Sequence, residues 1–141
     1  MNTLTAEILT IQNLENLNLV HAQTQCDKLT MMSLELNPSI TQGSIVKLAI
    51  KPTNIILANE NAATDATKLS CENTLNAVIA NIEKGALLCS VTLEYLQSTL
   101  EAIITLNAAD TMALQKGQNV TMLIKASDLY IQEILPQGET L

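Results

Sequence analysis

Gly117-Gln118-Asn119-Val120-Thr121-Met122-Leu123-Ile124-Lys125-Ala126-Ser127 is an apolar, strand-like run that stops abruptly at a lysine and small residues. An earlier run, Gly43-Ser44-Ile45-Val46-Lys47-Leu48-Ala49-Ile50-Lys51-Pro52-Thr53, lies 74 residues upstream. Glycine, valine, isoleucine and lysine recur in register between the two, and a hydroxyl residue closes both. The chain therefore carries a doubled segment.

The doubling extends to the start of the chain. Asn73-Thr74-Leu75 repeats Asn2-Thr3-Leu4 at a spacing of 71. The same spacing pairs Ala6 with Ala77, Ile8 with Ile79, Ile11 with Ile82, Leu17 with Leu88, Val20 with Val91 and Leu29 with Leu100. The change from 71 to 74 places three extra residues in the second copy, within Asn107–Leu114. There Asn107 and Asp110 suggest a helix start and Gly117 a stop.

In the first copy the apolar period is near two, which predicts strands. One runs from Leu4 past a register shift near Leu9. Others follow at Leu17–Gln23 and Leu29–Leu36, the latter ended by Pro38, which cannot donate to a central ladder. A fourth carries Val46, Leu48 and Ile50, and a short fifth covers Ile55–Ala58. A period near 70 residues is too long for a solenoid and suits two tandem units. Five strands with a helix or turn between the third and fourth is the order of an OB-type barrel. The expected fold is all-β: tandem five-stranded OB-like Greek-key barrels, each with a short helix or turn between strands 3 and 4. The expected division is a first barrel at 1–58, a polar linker at 59–69 and a second barrel at 70–135.

Composition narrows the function. Hydrophobic residues make up 48% of the 141 positions, yet Trp and Phe are absent and Tyr occurs twice. The core must be aliphatic, which suits a small, tightly curved sheet. The net charge is −7, and all seven basic residues are lysines. Without Arg or stacking aromatics the chain is a poor nucleic-acid binder. The lone His21 rules out a histidine-based zinc cluster or a serine–histidine triad within one chain. Cys26, Cys71 and Cys89 have no Cys-x-x-Cys spacing and read as small buried or half-buried thiols. The absence of a Gly-rich phosphate loop or a nucleophile–base pair argues against an enzyme. No signal-peptide pattern opens the chain and no apolar run reaches spanning length, so a cytoplasmic protein without a membrane partner is expected.

Ser70-Cys71-Glu72-Asn73, Ile82-Glu83-Lys84-Gly85-Ala86, Thr105 and Gly117–Ser127 resemble the Mop domain, the small oxyanion-binding barrel also called TOBE. The family pattern opens with Ser-Ala-Arg-Asn, turns at Ile-x-x-Gly-Ala, and closes with Ile-Lys-Ala-Ser. The second copy resembles it throughout. The first keeps Asn2 and Ile-Lys-Pro-Thr but has Leu14-Glu15 at the Gly-Ala turn, making it a degenerate copy. Together they resemble a di-Mop protein. The resemblance implies cytoplasmic binding of molybdate or tungstate for storage, homeostasis or sensing. It implies sites at seams between barrels, no organic cofactor, and a homo-oligomer, either trimer or dimer. Carried over by position, it implicates Ser70, Cys71, Thr105, Lys125, Ala126 and Ser127, with Lys51 and Thr53 in the first copy. The oxyanion would be held by hydrogen bonds rather than by metal ligation. Glu72 stands where the family has arginine.

Plainer roles compete at several positions. Lys51 and Lys125 suit solvated strand ends, and Thr105 suits a helix cap. Met31, Met32 and Met122 suit core filling. The alternative function is a ligand-free interaction or regulatory module that retains the barrel.

Overall fold

The computed structural model describes residues 2–59, 69–136 and 138–141. Residues 60–68 of the expected linker lie outside the described residues. The first copy contributes β1 (Asn2–Leu14), β2 (Leu17–Gln23), β3 (Lys28–Ser33), β4 (Ile45–Ile50) and β5 (Ile56–Asn59). The second contributes β6 (Asn73–Lys84), β7 (Leu88–Tyr95), β8 (Ser98–Thr105), a helix α1 (Leu106–Met112), β9 (Asn119–Ile124) and β10 (Tyr130–Ile134). The sequence pattern and the strands agree in number and order, and the fold is the expected tandem of five-stranded β units.

Alternation drives these elements. Along β1 every second side chain from Asn2 to Ile8 is buried, and β6 repeats this from Asn73 to Ile79. Each long strand serves two partners. β1 pairs with β4 through Asn2–Glu7 and with β2 through Glu7–Leu14, and the register slips between Ile8 and Thr10. β6 slips at the equivalent place, between Ile79 and Asn81. Such an extra residue bends a strand so that it can turn from one neighbour to the next, as barrel closure requires.

Gly43 and Gly117 hold these bends in place. Both have left-handed backbone, at φ +89° and +88°, a conformation open to glycine at little cost. The Gly43 N–H donates to the Ile8 carbonyl at 2.8 Å and the Gly117 N–H to the Ile79 carbonyl at 2.7 Å. Gly117 is thus a turn residue before β9 and not the helix stop. The helix ends at Met112, and Ala113 takes the left-handed position with φ 52°. Its start also moves: Thr105, not Asn107, is the cap, its Oγ1 accepting from the Ala108 N–H at 3.1 Å. The first copy carries Pro38 in the corresponding stretch, and no α-helix forms there among the described residues.

The two sheets do not split where the repeat does. Their strand orders are β10-β4-β1-β2-β3 and β5-β9-β6-β7-β8. Each copy's last strand is exchanged: β5 pairs with β9, and β10 with β4. The strands of 1–58 and of 70–135 are therefore not two self-contained sheets. The cause is a single turn of 3-10 helix after each fourth strand, at Pro52–Asn54 and Ala126–Asp128. Each is closed by a 2.9 Å hydrogen bond, from Asn54 N–H to the Lys51 carbonyl and from Asp128 N–H to the Lys125 carbonyl. Buried Ile55 and Leu129 follow and carry the chain onto its neighbour.

Reciprocal contacts tie the copies together as in an isologous pair. Asn73 donates through Nδ2 to the Thr30 carbonyl and accepts through Oδ1 from the Thr30 N–H, both at 2.8 Å. Asn2 grips Glu101, which lies 71 positions after Thr30, in the same way at 2.7 and 2.8 Å. Thr24 and its own equivalent Tyr95 meet hydroxyl to hydroxyl at 2.7 Å. The Tyr95 hydroxyl also donates to Asp27 at 2.6 Å. Burial and that carboxylate push the phenol pKa well above its usual value. One continuous aliphatic core underlies both copies, with Leu48, Ile50, Leu75, Met122 and Ile124 among its most enclosed members.

Candidate functional site

The segment just before β6 and the turn just after β9 come from the two ends of the second copy. The pairing of Asn73 with Ile124 brings them side by side. The turn packs on β3 of the first copy. Between these parts opens a pocket of about 540 Å³. Ser70, Cys71 and Glu72 form one wall, and Lys125, Ala126, Ser127 and Asp128 another. The first copy supplies Leu19 and Met32 from β2 and β3, and Asn54 and Ile56 from its own turn and exchanged strand.

Five of the eight residues singled out in the sequence thus converge here: Ser70, Cys71, Lys125, Ala126 and Ser127. Three do not line this pocket. Thr105 caps α1, its Oγ1 accepting from the Ala108 N–H away from this pocket. Lys51 and Thr53 are exposed at the equivalent turn of the first copy, which packs against β8.

The donors are few but varied. Lys125 is exposed and makes no ion pair among the described residues. Its ammonium offers three N–H donors, Ser70 and Ser127 offer hydroxyls, and Asn54 offers an amide. Cys71 faces inward instead: its thiol lies 3.3 Å from the Ile124 carbonyl and 3.5 Å from that of Asn73. Two carboxylates, Glu72 and Asp128, share the lining, and Leu19, Met32, Ile56, Leu69 and Leu123 make much of the rest apolar. Met32, read from the sequence as core filler, is 41% exposed and belongs to this wall, whereas Met31 and Met122 are buried. Among the described residues no group of three His, Cys, Asp or Glu side chains is placed to hold a metal. No helix among them is long and apolar enough to cross a membrane. The arrangement can hold a small anion by hydrogen bonds to Lys125 and the two serines.

Asp128 and Asn54 are lining residues that the sequence reading passed over. Both follow directly from the repeated Lys-x-Ser/Thr ending, at the next position in each copy. Leu19 and Met32 carry no such signal, because only the docking of the second copy on β2 and β3 puts them there.

Residues 69–131 match the family described as the TOBE domain. The second copy is thus similar to a TOBE domain. The match runs from Leu69 to Ile131 and so contains both walls that the second copy gives to the pocket. A sequence comparison with curated proteins found no match. Among solved structures, the chain resembles one described as the cytoplasmic molybdate-binding protein ModG with molybdate bound. The TM-score is 0.82 at 23% identity, covering 92% of this chain and 94% of that one. The likeness spans both copies, so the first copy shares the architecture although the TOBE match covers only the second.

Proposed function

We propose that this protein binds a tetrahedral oxyanion, molybdate or tungstate, in the seam pocket beside Lys125. The reading places it in the cytoplasm, in storage, homeostasis or sensing, with no covalent chemistry. One observation carries it: Ser70 and Lys125–Ser127, the two ends of the TOBE domain, converge on one pocket in a fold shared with a molybdate-binding protein. An anion taken from water needs its charge met by donors, since a buried unpaired charge is heavily penalised. Lys125 and two serine hydroxyls supply part of that set. Further copies of the chain in a homo-oligomer, dimer or trimer, would supply more, and the exposed Leu14, Leu34 and Leu87 offer apolar surface for such assembly.

The test is calorimetric titration of the intact protein with molybdate, tungstate and sulfate. Micromolar binding of a metal oxyanion that Lys125→Ala abolishes, with the assembly unchanged, supports the reading. The absence of binding sinks it and leaves the fold intact.

A second reading, a protein-interaction module without ligand, is favoured by the two carboxylates and the apolar side chains in the lining. It expects no oxyanion binding at all.

A further inference from the structure

Glu72 lines the seam pocket, yet it is not a loose surface carboxylate. Its Oε2 accepts a hydrogen bond from Thr30 Oγ1 of the first copy at 3.1 Å. Thr30 is itself fixed, because its N–H and carbonyl are both taken by Asn73. A hydroxyl has one proton to give. With that proton given to Glu72, the His21 tautomer that carries hydrogen on Nδ1, 3.3 Å from the same oxygen, can donate to Thr30. A relay from His21 through Thr30 thus holds the Glu72 carboxylate at the seam. Among the described residues no ion pair neutralises it.

An ionised carboxylate only accepts hydrogen bonds. Fixed in the wall of an anion pocket, it repels a fully deprotonated dianion and rewards a ligand that brings its own O–H. Molybdate, tungstate and sulfate carry no proton at neutral pH, whereas phosphate and arsenate do. We propose that Glu72, held by Thr30, is a specificity-determining residue of the seam pocket. It weakens the site for fully ionised oxyanions and narrows their advantage over protonated ones such as hydrogen phosphate. This inference rests on the oxyanion reading of the pocket.

The test compares the wild-type chain with Glu72→Gln by titration with molybdate, sulfate and phosphate. Glutamine keeps the size, removes the charge and adds a donor. A dianion a few ångströms from a removed unit charge in a water-rich pocket gains about tenfold in affinity. Molybdate and sulfate should gain about that much, and phosphate should gain less or lose. Equal changes for all three anions, or none, overturn the proposal. Thr30→Val keeps the carboxylate but releases it, and should shift the ranking in the same direction by less. An unshifted ranking with Thr30→Val overturns the role of the relay. If neither wild type nor Glu72→Gln binds any of the three, the oxyanion reading itself fails, which is a different result from unchanged selectivity.

Discussion

Replacing Asn73 with alanine removes a side chain that is wholly enclosed and makes two 2.8 Å hydrogen bonds to one partner. That partner, Thr30, is itself only 6% exposed, so its freed N–H and carbonyl have little water to turn to. Each buried backbone group left unsatisfied costs ~1–3 kcal/mol. Allowing for some relaxation, the loss should be about 3 kcal/mol, or a fall in Tm of about 10 °C for a chain of this size. Asn2 makes the same pair of bonds to Glu101, but Glu101 is itself an exposed residue, between buried Leu100 and Ala102. Water can replace part of what Asn2→Ala removes, and ~1–2 kcal/mol is expected there. Asn73→Asp keeps the shape but sets an acceptor against the Thr30 carbonyl, so it should be at least as damaging as alanine. Urea unfolding followed by circular dichroism measures all three, and an unchanged slope would show that stability alone has moved. Asn73→Ala within ~0.5 kcal/mol of wild type, or less harmful than Asn2→Ala, would refute the account of the clamp.

Tyr95→Phe should lose about 1–2 kcal/mol, because the hydroxyl bonds to both Thr24 and Asp27 disappear. The phenol pKa is raised in the folded protein above its ordinary 10.0. Above that pH the unfolded chain gives up the proton first, so the stabilisation is complete below pH 10 and falls as pH rises further. Alkaline denaturation should therefore be less steep for Tyr95→Phe than for wild type. Gly43→Ala and Gly117→Ala should each cost about 1 kcal/mol or more through backbone strain alone, since both sites have open space for a methyl group but a left-handed φ. Equal losses in thermal melts would confirm that the two glycines do the same work. With a thiol reagent on the folded chain, exposed Cys26 should react before enclosed Cys89, which should become available only on unfolding. Cys26 should still be slow for an exposed thiol, because its hydrogen bond to Asp27 raises its pKa.

The repeat made most of the fold legible, because alternation and the 71- and 74-residue spacings are local properties of the chain. Even the bulge near Leu9 showed as a break in period, and it reappears at Ala80. The strand exchange was not legible. A strand such as Ile56–Asn59 has the same pattern whichever fourth strand it joins, and only the path after the 3-10 turn decides. The site was half legible for the same reason. Ser70 and Lys125–Ser127 carry motif chemistry in their own segments, whereas Leu19, Met32 and Thr30 acquire a role through the neighbouring copy. Thr105 was legible as a residue type but ambiguous in role, since a hydroxyl serves equally to cap a helix or to bind an anion.

The two seams between the copies share a backbone but not a chemistry. Asn2 and Asn73 clamp equivalent strands in the same way, so the fold keeps its near-symmetry. Side chains at equivalent places diverge: Thr30 corresponds to Glu101, and His21 to Thr92. Glu101 accepts from Ser90 within its own copy at 2.8 Å, whereas Thr30 reaches across to Glu72. The relay that fixes a carboxylate beside a pocket therefore exists at one seam, next to the intact Lys-Ala-Ser ending. The asparagine clamps tie the copies together at both seams, and the side chains beside them differ. Thr30→Val and Glu72→Gln leave both asparagine clamps in place. They should alter anion ranking while costing far less stability than Asn73→Ala, and thermal melts run beside the titrations would show whether cohesion and selectivity separate in this way.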